Sequence, residues 1–248
     1  MHASYGYYNG GLNQSFYSTD TPTLTQLRKR DNPHIFAPLG NTPYLSSIGI
    51  PEDHIHCLDW WEDRVMSLSL PSAAELLQSN SIKSSFKITC TPCQHVTARG
   101  PFDRWCTLWS SWAVEEVIST GTPKKVYFAG DTGYRTVRDG EIVEDQPVCP
   151  AFAEIGDRIG PFDLALIPIG YVTFYSPKLT EVLIRLFSIS SAYSPRAMWS
   201  NLHAHPEDSV RIFKDIKAKK ALGMHWGYVT ARPNNFFPRR FLITPPAF

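Results

Sequence analysis

The spacing of hydrophobic and polar positions changes repeatedly along the chain, and each change predicts a different element of secondary structure. Short β-prone runs predict strands at 34–40, 54–61, 86–91, 106–116, 124–130, 163–170 and 221–227. The run 163–170 is almost continuously apolar, which is typical of a strand that is buried on both faces. By contrast, the Ser-rich segment 67–85 shows no clear period, so we predict a loop with one weak helical turn there.

Three segments predict helices from the residues at their ends. Thr21 and Pro22 suit the N-cap and first helical position of a helix that ends in basic residues. Pro150 opens a second helix, and Gly160 lies just beyond its end. The third helix is predicted over 206–220, with acidic residues in its first turn and lysines in its last. Its predicted apolar face consists of Val210, Phe213 and Ile216 or Lys217.

The order of these elements predicts the fold class. Strands that alternate with helices indicate an α/β (α+β) protein built in layers rather than an all-β sandwich. Residues 1–20 are rich in Tyr, Gly, Asn and Ser and have no period, so we predict a disordered leader. Residues 21–248 are long enough to bury a core, and we predict that they form a single domain.

Composition and charge exclude several classes of protein. The 248 residues carry a formal net charge of +1, which gives none of the basic surplus expected of a protein that binds nucleic acid. Five cysteines in a chain of this length do not suggest a disulfide scaffold, so a reducing, intracellular compartment is expected. No apolar run approaches the ~20 residues that span a bilayer, so we predict no transmembrane segment.

Three predicted strands end at a side chain that can bind a metal ion. These side chains are His95, Asp131 and His225. Imidazoles suit Zn²⁺, and one carboxylate can bridge two such ions. A histidine taken alone is more typical of a core or surface position. The two glycines that flank Asp131-Thr132, however, let the backbone approach a ligand closely.

Seven blocks of sequence, taken in order, resemble the metallo-β-lactamase superfamily. The blocks are Cys93-Gln-His-Val, Trp109-Ser-Ser-Trp112, Tyr127-Phe-Ala-Gly-Asp-Thr-Gly-Tyr134, Cys149-Pro-Ala-Phe152, Gly160 through Gly170, His203-Ala-His-Pro-Glu-Asp208 and Met224-His-Trp-Gly227. Together with Leu58-Asp-Trp-Trp-Glu62, they are most similar to the N-acylphosphatidylethanolamine-hydrolysing phospholipase D subfamily. The resemblance covers about residues 21–227 and implies a four-layer αββα sandwich.

The resemblance also implies roles for four residues. His95 would ligate one zinc ion, Asp131 would bridge two, and His225 would ligate the second. His203 corresponds to a histidine that holds the substrate phosphate, so Asp131 and His203 are the implied catalytic residues. The implied reaction is zinc-dependent hydrolysis of a phosphodiester in an N-acylated phospholipid. The implied partner is that phospholipid or a membrane surface, contacted peripherally by a cytoplasmic protein, and a homodimer is left open.

One element of the family pattern is not found in the 248 residues. His-x-His-x-Asp-His supplies four of the seven zinc ligands expected in this family, and by resemblance it should precede the helix at 21–30. Residues 13–20 contain one acidic side chain and no histidine, so we expect an N-terminally incomplete fold with one zinc ion or none. Hydrolytic activity is therefore expected to be impaired. The alternative is a non-catalytic, truncated remnant that binds lipid or a protein partner.

Two segments interrupt the family blocks, and one pair of histidines lies outside them. Insertions are expected at about 135–148 and 171–191. The second is either an amphipathic helix that faces a membrane, an ordinary packed insertion, or translated non-coding sequence. His54 and His56 would share one side of a strand. Because the next carboxylate, Asp59, falls at the wrong spacing for the family motif, we predict no metal site at this pair.

Overall fold

The computed structural model describes residues 21–70, 82–97, 105–138, 140–169, 200–225 and 242–243. The chain divides into two compact units, the first formed by Met1–Pro92 with Val96–Pro123 and the second by Cys93–His95 with Lys124–Phe248. The predicted leader over 1–20 and the predicted insertion at 171–191 lie outside the described residues.

The first unit begins with a small helix and strand layer. Its elements are α1 (Thr21–Asp31), β1 (Ile35–Pro38), α2 (Thr42–Ser47) and β2 (Ile55–Leu58). β1 and β2 pair in parallel, with Ile35 opposite Ile55. The core under this pair consists of Leu24, Ile35, Ala37, Tyr44, Leu45 and Ile50. Alternate residues of β1 thus point into the core, as the two-residue period of a strand requires.

The described part of the first unit also contains three antiparallel strands. They are β3 (Asp63–Leu70), β4 (Ile82–Thr91) and β5 (Ser111–Val117), in that spatial order. The prediction of a loop over 67–85 is wrong at both ends, because residues 67–70 pair with residues 82–85. The hydroxyls of Ser67 and Ser85 lie 2.8 Å apart across this pair. Serines alternate with leucines over 67–70, so a strand period was present there within a Ser-rich composition.

Within its described residues, the second unit contains three parallel strands and two helices. The strands are β6 (Lys125–Phe128), β7 (Leu164–Pro168) and β8 (Ala221–Met224), and the short β9 (Leu242–Ile243) pairs antiparallel with β8. The helices are α3 (Ala151–Arg158) and α4 (Pro206–Asp215). Parallel strands with intervening helices, together with the antiparallel strands of the first unit, confirm the predicted α+β class. Within the described ranges, no helix combines the length and apolarity needed to cross a bilayer.

The helices α3 and α4 approach each other very closely. A Cβ atom added at Gly156 of α3 would overlap the Asp215 carbonyl oxygen at the end of α4. Phe152 and Ile155 of α3 and Ile212 of α4 are completely buried. The glycine therefore permits the contact that brings these apolar faces together. This packing fixes α4 and, with it, the loop that enters α4.

Candidate active site

Four side chains of the second unit meet beside the carboxyl ends of its parallel strands. Asp131 follows β6, and His225 follows β8 directly. Carboxyl ends of parallel strands lie at the same edge of a sheet, which explains why residues distant in sequence come together there. His95 comes from the segment Cys93–His95, and His203 comes from the loop before α4. The four residues predicted as site residues are thus neighbours in the folded unit.

The distances place His203 at the centre of the group. Its ring lies 5.8 Å from the ring of His95 and 5.4 Å from the ring of His225, measured between centroids. His225 Nε2 lies 3.4 Å from Asp131 Oδ1. All four side chains are partly buried. The arrangement offers imidazole and carboxylate groups to one small volume.

The close packing of these rings disfavours a charge on His203. Burial, and then the positive charges that His95 and His225 can carry, lower the pKa of His203 to about 4, although Asp131 acts in the opposite direction. In this arrangement the His203 ring is neutral at pH 7. A neutral imidazole has one N–H donor and one acceptor nitrogen. His203 can therefore offer a hydrogen bond to an anionic oxygen without carrying a charge.

Thr132 connects the segments that carry three of the four side chains. Its hydroxyl accepts a hydrogen bond from the Gln94 backbone N–H at 3.0 Å, and its carbonyl accepts one from the Ala204 N–H at 2.6 Å. The Gly133 N–H donates to the Gln94 carbonyl at 2.7 Å. Thr132 is completely buried. Because it follows Asp131 directly, Thr132 ties Asp131 to the neighbours of His95 and His203.

The sequence reasoning did not identify Thr132 as a functional residue. The signal was present, since Thr132 lies between Asp131 and Gly133 in one of the recognised blocks. A small residue is also required at Gly133, where an added Cβ would lie 2.6 Å from the backbone of Asn201. Thr132 and Gly133 hold the loops and are positioning residues rather than ligands.

A buried ion pair also supports the segments that carry Asp131 and His203. Arg135 Nε lies 3.0 Å from Asp208 Oδ1, and the two side chains are only 1% and 3% exposed. Arg135 also donates through Nη1 to the Val143 carbonyl at 2.6 Å. Arg135 is the first residue of the insertion predicted at 135–148, and Asp208 lies in the first turn of α4. The pair therefore joins the chain after Gly133 to the helix that follows His203.

His225 has a strained backbone. Its φ angle is +51°, in the left-handed region that residues with a Cβ atom rarely adopt. Such conformations are costly, and they occur preferentially at functional sites, where the surrounding structure holds them. Here the strained residue is the one that lies beside Asp131.

The donor chemistry suits a zinc ion, but the described side chains do not form a complete metal site. Imidazole nitrogens and a carboxylate are common zinc ligands, and structural zinc sites use four of them. Among the residues that the structure describes, no three His, Cys, Asp or Glu side chains are arranged to hold an ion. The Asp131–His225 pair and the two neighbouring rings are therefore a partial donor set.

The comparisons with known proteins decide the family. The model of the Beta-lactamase superfamily domain matches residues 17–226. The chain belongs to the metallo-β-lactamase superfamily. It is 31% identical over 198 residues to N-acyl-phosphatidylethanolamine-hydrolyzing phospholipase D 1 of Caenorhabditis elegans, an alignment that covers 79% of this chain and 42% of that protein. These matches confirm the family and the phospholipase D-like relation predicted from the sequence blocks.

Two further relatives agree with this assignment. The chain is 28% identical over 209 residues to the mitochondrial N-acyl-phosphatidylethanolamine-hydrolyzing phospholipase D of Saccharomyces cerevisiae, covering 84% of this chain and 33% of that protein. It is 27% identical over 218 residues to an uncharacterized protein of Mycobacterium tuberculosis, covering 87% of this chain and 42% of that protein. The chain thus spans less than half the length of each of these curated relatives.

Proposed function

We propose that the chain is a zinc-dependent phosphodiester hydrolase of the N-acylphosphatidylethanolamine phospholipase D type whose activity is weak. His95, Asp131 and His225 are its metal-facing residues, and His203 faces the phosphate of the substrate. The observation that carries the proposal is the meeting of these four side chains, from four separate segments, in one unit. The family relation supports the proposed substrate class.

The partial donor set is the reason for proposing weak activity. When bound, zinc would supply the Lewis acid that phosphodiester hydrolysis needs. The described residues do not hold it in a complete cage, and the family motif His-x-His-x-Asp-His is not among the 248 residues. What this chain supplies is orientation, because His203 can donate a hydrogen bond to a phosphate oxygen. Thr132 keeps the loops of His203 and His95 at a fixed separation.

The proposal is tested by measuring zinc content and hydrolysis on the same purified samples. Zinc is counted by elemental analysis, and hydrolysis is followed as release of N-acylethanolamine from vesicles that contain N-acylphosphatidylethanolamine. We expect less than one zinc ion per chain and slow, zinc-dependent release. His95→Ala, Asp131→Asn and His203→Ala should each abolish that release. Glu154→Gln, on the surface of α3, is the matched control and should retain it.

Each alternative result has a definite meaning. Two zinc ions per chain with rapid release, both lost in Asp131→Asn, would show that activity is not impaired. Release that persists unchanged in Asp131→Asn and His203→Ala would contradict the assigned site. No release at any zinc concentration would contradict hydrolysis and leave the second candidate function.

The second candidate function is non-catalytic binding of a phospholipid or a protein partner. It is favoured by the lack, within the described ranges, of three side chains that could hold an ion. A protein of this kind would bind vesicles that contain N-acylphosphatidylethanolamine without hydrolysing them. His203→Ala should weaken that binding, whereas His95→Ala should not. In either case we propose that the protein is intracellular and contacts the membrane peripherally. Sedimentation would show whether it forms a homodimer.

A further inference from the structure

Three histidines of the first unit lie together on one face of the β1–β2 pair. His34 and His54 immediately precede the two strands, so the parallel register brings them side by side. His56, the second residue of β2, lies on the same side of that strand as His54. The alternate positions Ile35 and Ala37 point into the core, and the histidines therefore occupy the opposite face.

His34 lies between the other two rings and contacts each in a different way. It stacks face to face on His54, with ring centroids 4.1 Å apart and planes 15° from parallel. It meets His56 edge to edge, where His34 Nδ1 lies 2.9 Å from His56 Nε2 in a hydrogen bond between two imidazoles. Such a bond needs one nitrogen that carries a hydrogen atom and one that does not, so at least one of these two rings must be neutral.

The groups around His56 also disfavour a positive charge on its ring. Burial is the largest cause that lowers the pKa of His56, followed by the positive charges that His34, Arg64 and His54 can carry. Arg64 belongs to β3, so this charge comes from a different element. The acidic residues of the turn Glu52–His54 are exposed, and they are not among the groups that shift this pKa.

We propose that the three histidines are an acid-sensitive switch that keeps the β1–β2 pair closed at neutral pH and opens it locally in mildly acidic solution. The closed pair can hold one proton on His34 or His56 and still keep their hydrogen bond. A second proton removes the acceptor nitrogen and places two cations edge to edge. A proton on His54 places a cation against the face of the His34 ring.

The direction of the effect follows from the number of protons that each form can hold. The open segment has no close imidazole contacts, so each histidine there titrates near its ordinary pKa of ~6.5. The open form therefore binds more protons than the closed form below that pH, and acid shifts the equilibrium towards opening. The stability that the closed pair has above about pH 6.5 is lost as the pH falls through the lowered pKa of His56.

Two features of the fold allow this opening to be local. Among the described residues, β1 and β2 form a two-stranded sheet of their own, so they can separate without breaking the ladder of another sheet. Their separation would expose the core residues Leu24, Tyr44 and Leu45. The switch lies in the first unit and is independent of the function proposed for the second.

The proposal is tested by amide hydrogen exchange of the full chain between pH 7 and pH 5. The reporter is the Leu39 amide, which donates to the Leu58 carbonyl at 3.0 Å and closes one end of the β1–β2 pair. Its protection, relative to an unstructured peptide at the same pH, should fall by roughly 10²–10³-fold, because the open form gains about two more protons than the closed form.

Substitutions of single histidines show whether this loss passes through the cluster. His34→Gln removes both ring contacts at once and should reduce the fall at Leu39 to less than about ten-fold. His56→Gln leaves the stack of His34 on His54 and should give an intermediate fall. His205→Gln, the matched control in the second unit, should keep the full fall.

A second reporter separates local opening from general acid denaturation. The Ala165 amide donates to the Lys220 carbonyl in the second unit, and its pH dependence should be the same with and without His34→Gln. The proposal is overturned if Leu39 in the unmodified chain loses less than about ten-fold of its protection, or if His34→Gln loses as much as the unmodified chain. It is also overturned if His34→Gln alters Ala165 and Leu39 equally. Circular dichroism at pH 7 shows that each variant is folded, and the unmodified chain and His56→Gln test the switch without His34→Gln.

Discussion

His225 illustrates how one residue can combine a candidate role with a local cost. Its left-handed backbone brings Nε2 to 3.4 Å from Asp131, although a residue with a Cβ atom is disfavoured in that conformation. The cost of left-handed backbone for such a residue is roughly 1–2 kcal/mol. The β8 strand and the loop after it must therefore hold His225 in place.

This strain predicts a difference between two truncations of the same side chain. His225→Ala and His225→Gly both remove the imidazole, but only glycine adopts a φ of +51° without a steric penalty. We expect His225→Gly to have a free energy of unfolding higher than that of His225→Ala by about 1 kcal/mol. Urea denaturation of the two variants measures the difference. Equal stability would show that the native backbone of His225 is not left-handed.

The candidate side chains could be predicted from the sequence, whereas their support could not. His95, Asp131 and His225 each follow a run that reads as a strand, and His203 lies in a recognised block. A buried threonine or a strained backbone has no comparable pattern, because both depend on which distant segments meet. Their contribution became visible only in the hydrogen bonds and dihedral angles.

At the scale of elements, the contact between α3 and α4 depends on a single glycine. Helix propensity alone favours Gly156→Ala by about 1 kcal/mol. The added methyl group would overlap the Asp215 carbonyl, however, and overpacking of this kind costs typically 1–3 kcal/mol. We therefore expect Gly156→Ala to lower the thermal midpoint. A higher midpoint would mean that the helices can separate without loss.

An exposed position of the same helix provides the control for this prediction. Ala153 of α3 is exposed to solvent, so Ala153→Gly tests propensity without packing. It should cost about 1 kcal/mol. One substitution replaces Gly with Ala and the other replaces Ala with Gly, so helix propensity alone predicts opposite effects. If both destabilise the protein, packing at Gly156 must outweigh helix propensity.

The helix α4 shows where a hydrophobic pattern misleads. The prediction that Val210 belongs to the apolar face is wrong, since its side chain is 38% exposed. The buried face instead includes Asp208 and Ser209. Asp208 pairs with Arg135, and the Ser209 hydroxyl donates to the Pro168 carbonyl at 2.6 Å. Both partners are distant in sequence, so a polar residue at these positions gives no sign of burial.

The start of α4 and the strands of the second unit were easier to predict. Pro206 and the acidic first turn placed the beginning of the helix correctly, because both signals act within a few residues. The apolar runs around β6, β7 and β8 did the same for the strands. The residues within these elements were sufficient to predict them. The Ser-rich strands β3 and β4, by contrast, can be identified only from their pairing with each other.

For the whole molecule, the partial donor set predicts a small response to metal removal. An ion present at 100 times its dissociation constant stabilises a protein by about 2.7 kcal/mol, which in a chain of this size raises Tm by roughly 5–10 °C. We expect Tm in 10 µM zinc and in EDTA to differ by less than ~2 °C, since no complete cage exists among the described side chains. Differential scanning calorimetry measures this difference in Tm. A larger fall in EDTA would indicate that zinc is held tightly.

The family could be recognised from the sequence because its blocks are short, ordered and distributed along most of the chain. The partition into two compact units could not, because Cys93–His95 group with residues from Lys124 onward while their neighbours in sequence belong to the other unit. The order of residues along the chain does not reveal that a short segment packs with a distant part of the sequence.

The hydrogen bonds around Thr132 also have a consequence for how the loops open. The amides of Gln94, Gly133 and Ala204 come from segments far apart in sequence, yet each bonds to Thr132 or to a group that Thr132 holds. Opening any one loop exposes the partners of the others. Amide hydrogen exchange at these three positions should therefore report one shared free energy of opening, and Thr132→Val should lower it at all three together. The loops would then open together as one cooperative unit, although they are far apart in the sequence.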